Sequence, residues 1–126
     1  MKRTFIPLAI VALAAMAFAA PAVQAKGDPG TIIPLKASSA FPGAKGKAKF
    51  KTAGQRELEI EVEHLRRLAG RPVGFFVNSK KVGTLRLNRF GAAELNLRGS
   101  RAPAVSSGTR ISVKTAAGRL IVSGRF

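Results

Sequence analysis

The chain has 126 residues, with 22 lysines and arginines against six acids, and no cysteine. The missing thiols exclude disulfides, thiolate metal centres, a cysteine nucleophile and a lipid-anchored N-terminal cysteine. A formal net charge of +16 points instead either to polyanions, which a surface this basic draws from solution, or to a basic surface that serves solubility alone.

Lys2 and Arg3, an apolar run over residues 5–20, and Pro21-Ala22-Val23-Gln24-Ala25 with small residues at the cleavage positions have the layout of a secretory signal peptide. Cleavage is expected after Ala25. The alternative, a retained membrane anchor, is opposed by Pro7, Pro21 and the cleavage site itself. Only Lys2 and Arg3 leave with the leader, so 20 basic and six acidic residues remain, a net charge of +14 on 101 residues. That length suits one compact domain. Residues 26–45 read as lead-in and edge strand, and 46–126 as the core. The expected location is secreted, periplasmic or in the cell envelope, with no transmembrane segment after cleavage.

Asp28-Pro29-Gly30 is a turn signal. Thr31 to Lys36 is β-branched and apolar, but Pro34 has no N–H for a ladder, so this segment is predicted as an edge strand at best. Residues 46–63 then alternate on both sides of Gly54: Ala48 and Phe50, then Leu58, Ile60 and Val62, fall on one face. Lys47, Lys49 and Lys51, then Glu57, Glu59, Glu61 and Glu63, fall on the other. Both patterns agree only if Lys51 stands opposite Glu57, Phe50 opposite Leu58 and Lys49 opposite Glu59. That register needs an odd loop with Gly54 at positive φ.

Alternation stops at His64, and Gly70 and Pro72 punctuate a crossover loop, which is either a solvated loop or a short helical turn from Leu65 to Ala69. Leu65 and Leu68 are tucked under it, and Arg66, Arg67 and Arg71 stay outside. By strand parity His64 sits at the core margin. Val73, Phe75 and Val77 begin a second hairpin that turns at Asn78-Ser79-Lys80-Lys81 and returns through Leu85 and Leu87, Gly83 marking a bulge or a close backbone approach. Ala93, Leu95 and Leu97 extend this meander by one strand. Phe90, at the tip of the intervening turn, is expected to pack over an open end of the fold, with an exposed aromatic as the alternative. Residues 99–108 form a longer loop that crosses between sheets. In the last hairpin Val113 faces Val122, Thr115 faces Leu120 and Arg110 faces Arg125. About seven short strands in this length predict an all-β fold, a single antiparallel β-sandwich of Ig-like or Greek-key-like type.

Gly46-x-Ala48-x-Phe50 followed by Leu58-x-Ile60-x-Val62-x-x-Leu65 resembles the opening strands of chordin-type (CHRD) secreted β-domains. Where that family usually has a histidine-containing strand, this chain has Gly74-Phe75-Phe76-Val77-Asn78-Ser79-x-x-Val82-Gly83-Thr84. The latter is similar to a Phe-Val-Asn-Gly-x-x-Val-Gly-Thr hairpin of small exported bacterial β-domains of unassigned function, with Ser79 in place of the glycine. Both resemblances imply an exported β-domain, and neither implies a reaction or a cofactor.

The residues carry little catalytic chemistry. His64 is the sole histidine and Asp28 the sole aspartate, the latter in the lead-in, so no nucleophile, base and orienting acid come together and no enzyme is expected. Alternate glutamates on a strand stand about 6.6 to 7 Å apart, too far to share a calcium ion whose ligands lie at about 2.3 to 2.6 Å. No metal and no cofactor are expected. Tyr and Trp are absent, which argues against sequence-specific nucleic-acid binding by stacking. What remains is anion binding, with Arg110, Arg125 and Lys114 as a fork on the last hairpin, the alternative being that the two arginines splay apart in water and are screened, and with Arg66, Arg67 and Arg71 on the crossover as further candidates. The expected role is an exported, non-catalytic binding or adhesive module for an anionic envelope surface or extracellular polymer. The alternative is a structural domain that engages another exported protein through a sheet edge, such as the segment with Pro34 or the C-terminal strand.

Overall fold

The computed structural model describes residues 30–126; the expected signal peptide lies outside them. Eight strands account for the fold: β1 (Thr31–Ala37), β2 (Lys45–Lys51), β3 (Glu57–Glu63), β4 (Pro72–Val77), β5 (Lys80–Arg86), β6 (Ala93–Arg98), β7 (Arg110–Thr115) and β8 (Leu120–Arg125). All pairings are antiparallel, and the spatial order is β5-β4-β7-β8-β1-β2-β3-β6. The inward side chains of every strand meet in one apolar core, with Leu58, Ile60, Val62, Phe75, Ile111, Val113, Ile121 and Val122 fully buried.

The chain therefore forms one nearly closed, barrel-like sheet of eight strands, where about seven strands in a two-layer sandwich were expected. The difference comes from β1. Its first part, Thr31 to Leu35, pairs with β2, and its last residues, Lys36 and Ala37, pair with β8. Pro34 fits an interior strand because the ladder to β8 begins only two residues beyond it, where N–H groups are available again. Close passage of β8 requires Gly124, since a Cβ there would lie 2.6 Å from the Pro34 carbonyl oxygen. Neither β1 nor β8 is an edge, so the two edges named from sequence are both covered.

The first hairpin has the predicted register throughout, from Lys51 opposite Glu57 to Lys45 opposite Glu63, and Gly54 takes φ +67° in its loop. Lys47 and Glu61 approach to 3.6 Å, and Lys51 and Glu57 to 3.4 Å. Partial burial pushes the Glu57 carboxyl up. Hydrogen bonds from Asn96 and Lys51, with the charges of Arg98 and Lys51, outweigh it and hold the group below its ordinary value.

The outer neighbour of β3 is β6, which corrects the predicted meander: β6 leaves β5 and pairs with β3, Leu95 opposite Ile60 and Leu97 opposite Leu58. This position satisfies both faces of β3 at once. Leucines extend its apolar side, Asn96 donates to Glu59 Oε2 at 3.1 Å, and Arg98 lies 3.6 Å from Glu57. The free edges, β5 and β6, face each other without a ladder. Gly83 makes their approach possible, since a Cβ there would lie 2.9 Å from the Leu95 side chain. The bulge expected beside Gly83 is present, with Val82 as the extra residue.

A second bulge shifts the last hairpin. Val113 faces Val122 and Arg110 faces Arg125 as predicted, but Lys114, not Thr115, faces Leu120. The extra residue is Ile121, and the bulge lets the adjacent Ile121 and Val122 both reach the core. Two other expectations on the margins change. His64 has φ +68° and is exposed; the left-handed kink turns it out of the strand, and Leu65 fills the core position. Phe90 is 55 % exposed and does not cover the end of the fold.

The pairing around Glu61 and Glu59 makes a direct test of register. Glu61 stands between Lys47 and a like charge, Glu94, whereas Glu59 stands between Lys49 and Asn96. Glu59→Lys is expected to destabilise by about 0.5 to 1 kcal/mol, and Glu94→Lys to be neutral or stabilising by a few tenths, since cross-strand charge pairs act on this scale. Urea midpoints of the two variants, read at constant m, check the difference.

Candidate anion-binding face

Charge on this sheet is divided by strand. On β2, β3 and β6, five basic residues alternate with five glutamates, Glu57, Glu59, Glu61, Glu63 and Glu94, and the charges cancel. On β4, β5, β7 and β8 there are six basic residues, Lys80, Lys81, Arg86, Arg110, Lys114 and Arg125, and no acid. Lys36 on β1, opposite Ser123, adds a seventh next to this half. Arginines and lysines elsewhere on the sheet stand among glutamates, so within the sheet the net positive charge lies on the β5-β4-β7-β8 face.

Three residues foreseen from sequence meet on that face. Strand alternation points Arg110, Ser112 and Lys114 of β7 outward, and Arg125 of β8 is the direct partner of Arg110. Together with Asn78 and Ser79 they line a cleft of about 280 Å³. Ser112, 2 % exposed, is its floor. The β4–β5 turn is tied down beside the arginines: the Asn78 N–H donates to the Arg110 carbonyl at 2.7 Å, and the Arg110 N–H donates to Asn78 Oδ1 at 3.0 Å. Arg125 Nη1 donates to the Gly108 carbonyl at 3.1 Å, which orders the guanidinium while its other donors have no partner among the described residues. None of the three cations is in an ion pair among the described residues.

Lys114 is positioned by the aromatic ring of Phe76. Phe75 points into the core, so Phe76 points out, opposite Ser112 on one side and Lys81 on the other. Its ring leans over Gly74, where a Cβ would come within 3.1 Å of it. The Lys114 ammonium sits 4.8 Å from the ring centroid and that of Lys81 6.0 Å. Attraction to the ring face holds two like charges near one another. Parity placed Phe76 on the outer face, but its neighbours depend on β4 lying beside β7, a pairing of distant segments that no local pattern gives.

Arg66, Arg67 and Arg71 do not join this cluster. Arg66 and Arg67 lie on a short 3-10 turn, Arg66–Leu68, with Leu65 buried and Leu68 half-buried beneath, as predicted. Arg71 precedes the start of β4, whereas Arg110 stands opposite Asn78 just past its end, seven residues along and roughly 22 to 24 Å away at the rise of a strand. These arginines flank two apolar grooves around Phe41 and Leu68.

No group of histidine, cysteine or acidic side chains among the described residues is arranged to hold a metal ion. No helix among them is long and apolar enough to cross a membrane. The fold and face together define a small antiparallel β-domain with a segregated basic surface. Comparison with family models, with curated proteins and with solved structures found no match.

Proposed function

We propose that this protein is an exported, non-catalytic binding module whose β5-β4-β7-β8 face engages an anionic polymer or surface of the cell envelope or its surroundings. The observation that carries this reading is the division of charge: six cations without an acid on four adjacent strands, beside a half-sheet whose charges cancel. A surface that served only solubility needs no such separation, because mixed signs spread over the sheet serve that purpose equally well. The exported chain is expected to begin at Lys26, and intact mass of secreted or periplasmic material tests this; a mass that retains residues 5–20 contradicts export by cleavage.

Binding to immobilised polyphosphate or an acidic polysaccharide, followed against salt concentration, tests the interaction. Each neutralised phosphate releases condensed counterions, so log affinity is expected to fall linearly with log salt, with a slope of about −3 or steeper if the cations of the cleft and their neighbours act together. Affinity that does not change with salt contradicts the reading and favours apolar or backbone contacts with a protein partner.

A further inference from the structure

We propose that the cleft between Arg110, Lys114 and Arg125 receives a terminal phosphate monoester, so that the basic face grips phosphate-bearing ends in preference to diester backbones or carboxylates. This rests on the reading of the face as an anion-binding surface and assigns the chemical class that this cleft selects. Arg110 and Arg125 stand directly opposite each other, their α-carbons about 4.5 to 5.5 Å apart as in any antiparallel pair. Like charges so placed are destabilising. Lys114 adds a third positive charge at the same cleft, fixed by the Phe76 ring. Among the described residues the acids all lie on β3 and β6, so nothing within the sheet relieves this repulsion.

The ligand that relieves it best brings the most negative charge into the smallest volume. A phosphate monoester carries about −1.5 to −2 at pH 7 and three acceptor oxygens, whereas a diester or a carboxylate carries one charge and two free oxygens. Three cations match three oxygens: each guanidinium makes paired N–H···O bonds, and the lysine acts as a point charge. The neutral groups at the cleft agree with this. Asn78 Oδ1 is occupied by the Arg110 N–H, which leaves its amide NH₂ to donate, and Ser79 and Ser112 add hydroxyl groups. The cleft, about 280 Å³, admits one phosphate and part of the group that bears it.

A ¹⁵N NMR titration of the intact folded protein with methyl phosphate, dimethyl phosphate and acetate at pH 7.5 tests the assignment. Methyl phosphate is expected to give saturable shifts at the Ser79, Ser112 and Arg125 amides, with affinity at least tenfold above the other two. That preference should shrink below about pH 6, where the monoester takes up its second proton. Equal responses to all three ligands, or a preference that persists at pH 5, overturn it. Arg110→Lys with Arg125→Lys retains charge and loses the paired geometry; it is expected to lose most of the preference for methyl phosphate over dimethyl phosphate, and an unchanged preference overturns the assignment. Polyphosphate binding without a methyl phosphate preference defeats the pocket and spares the face, whereas methyl phosphate selectivity without polymer binding defeats the polymer reading and spares the pocket. Vesicles of phosphatidylcholine with phosphatidic acid, set against phosphatidylglycerol, identify the source. A monoester preference on vesicles supports the pocket with a lipid headgroup as ligand, and a preference confined to methyl phosphate supports it with a soluble or polymer-end phosphate.

Discussion

Gly91→Ala is expected to lower stability by about 3 kcal/mol, from two costs that add. Gly91 has φ +77°, a conformation that costs an L-residue about 1 to 2 kcal/mol. A Cβ at this position would also overlap the Leu65 carbonyl carbon and the Arg66 nitrogen, which are backbone atoms and cannot swing aside. The contact exists because the Leu65 N–H donates to the Gly91 carbonyl at 3.0 Å, fastening the loop after β3 to the turn before β6. Moving it would lift Leu65, 4 % exposed, out of the core. Gly54→Ala is the control. Its φ of +67° is similar, but nothing lies within 4 Å of the new methyl group, so about 1 kcal/mol is expected. Urea midpoints of the two variants check this, and equal losses would mean that the Leu65 to Gly91 contact contributes nothing.

The adjacent phenylalanines of β4 should separate stability from binding. Phe75 is fully buried and is the largest such side chain, so Phe75→Ala is expected to cost about 3 to 5 kcal/mol, the range for emptying an aromatic site in a core. Phe76 lies on the opposite face, and Phe76→Ala should cost about 1 kcal/mol or less. Its effect is expected on binding instead. Without the ring, the Lys114 and Lys81 ammoniums lose their common anchor, and polyanion affinity should fall several-fold while the fold persists. Denaturant melts and binding isotherms on both variants test the pair. A Phe76→Ala protein that binds as tightly as the parent would show that the lysines need no positioning.

These contrasts show how far the sequence is legible. Alternation around Gly54 fixed every pair of the first hairpin, because lysine against glutamate on one face and apolar against apolar on the other leave a single register. The inward positions Phe75, Val77 and Leu87, the bulge beside Gly83 and the pairing of Arg110 with Arg125 followed from the same period of two. What alternation cannot give is which strand lies beside which. Pro34 suggested an edge, yet β1 became the strand that joins the two halves, since its missing N–H falls where no ladder bond to β8 is needed. The β4-β5-β6 meander failed for a related reason: β6 complements both faces of β3, and only the three-dimensional arrangement reveals that β3 has a free side. In the last hairpin the apolar pattern assumed one inward residue in every two, and the bulge at Ile121 breaks that assumption.

The site was legible to the same extent. Arg110, Arg125 and Lys114 share a face by parity within one hairpin, so local pattern brought them together. Arg66, Arg67 and Arg71 stand out in the sequence by charge alone, and the fold sets them at the far end of β4. Lys81 and Phe76 escaped because their place beside Lys114 depends on the β4–β7 ladder, which joins segments more than thirty residues apart.

The most direct measurement compares two triple variants that remove the same charge from different halves of the sheet. Arg110→Ala, Lys114→Ala and Arg125→Ala strip the acid-free face, whereas Lys45→Ala, Lys47→Ala and Lys49→Ala strip β2, where each lysine already stands opposite a glutamate. Polyphosphate affinity is measured for both and for the parent across a range of salt concentrations. The first variant is expected to lose the larger part of the affinity and to flatten the log–log salt slope by roughly 2 to 3 units, while the second stays within about one unit of the parent. Equal losses of affinity and slope in the two variants would contradict a binding face on β5-β4-β7-β8 and leave only the diffuse field of a basic protein.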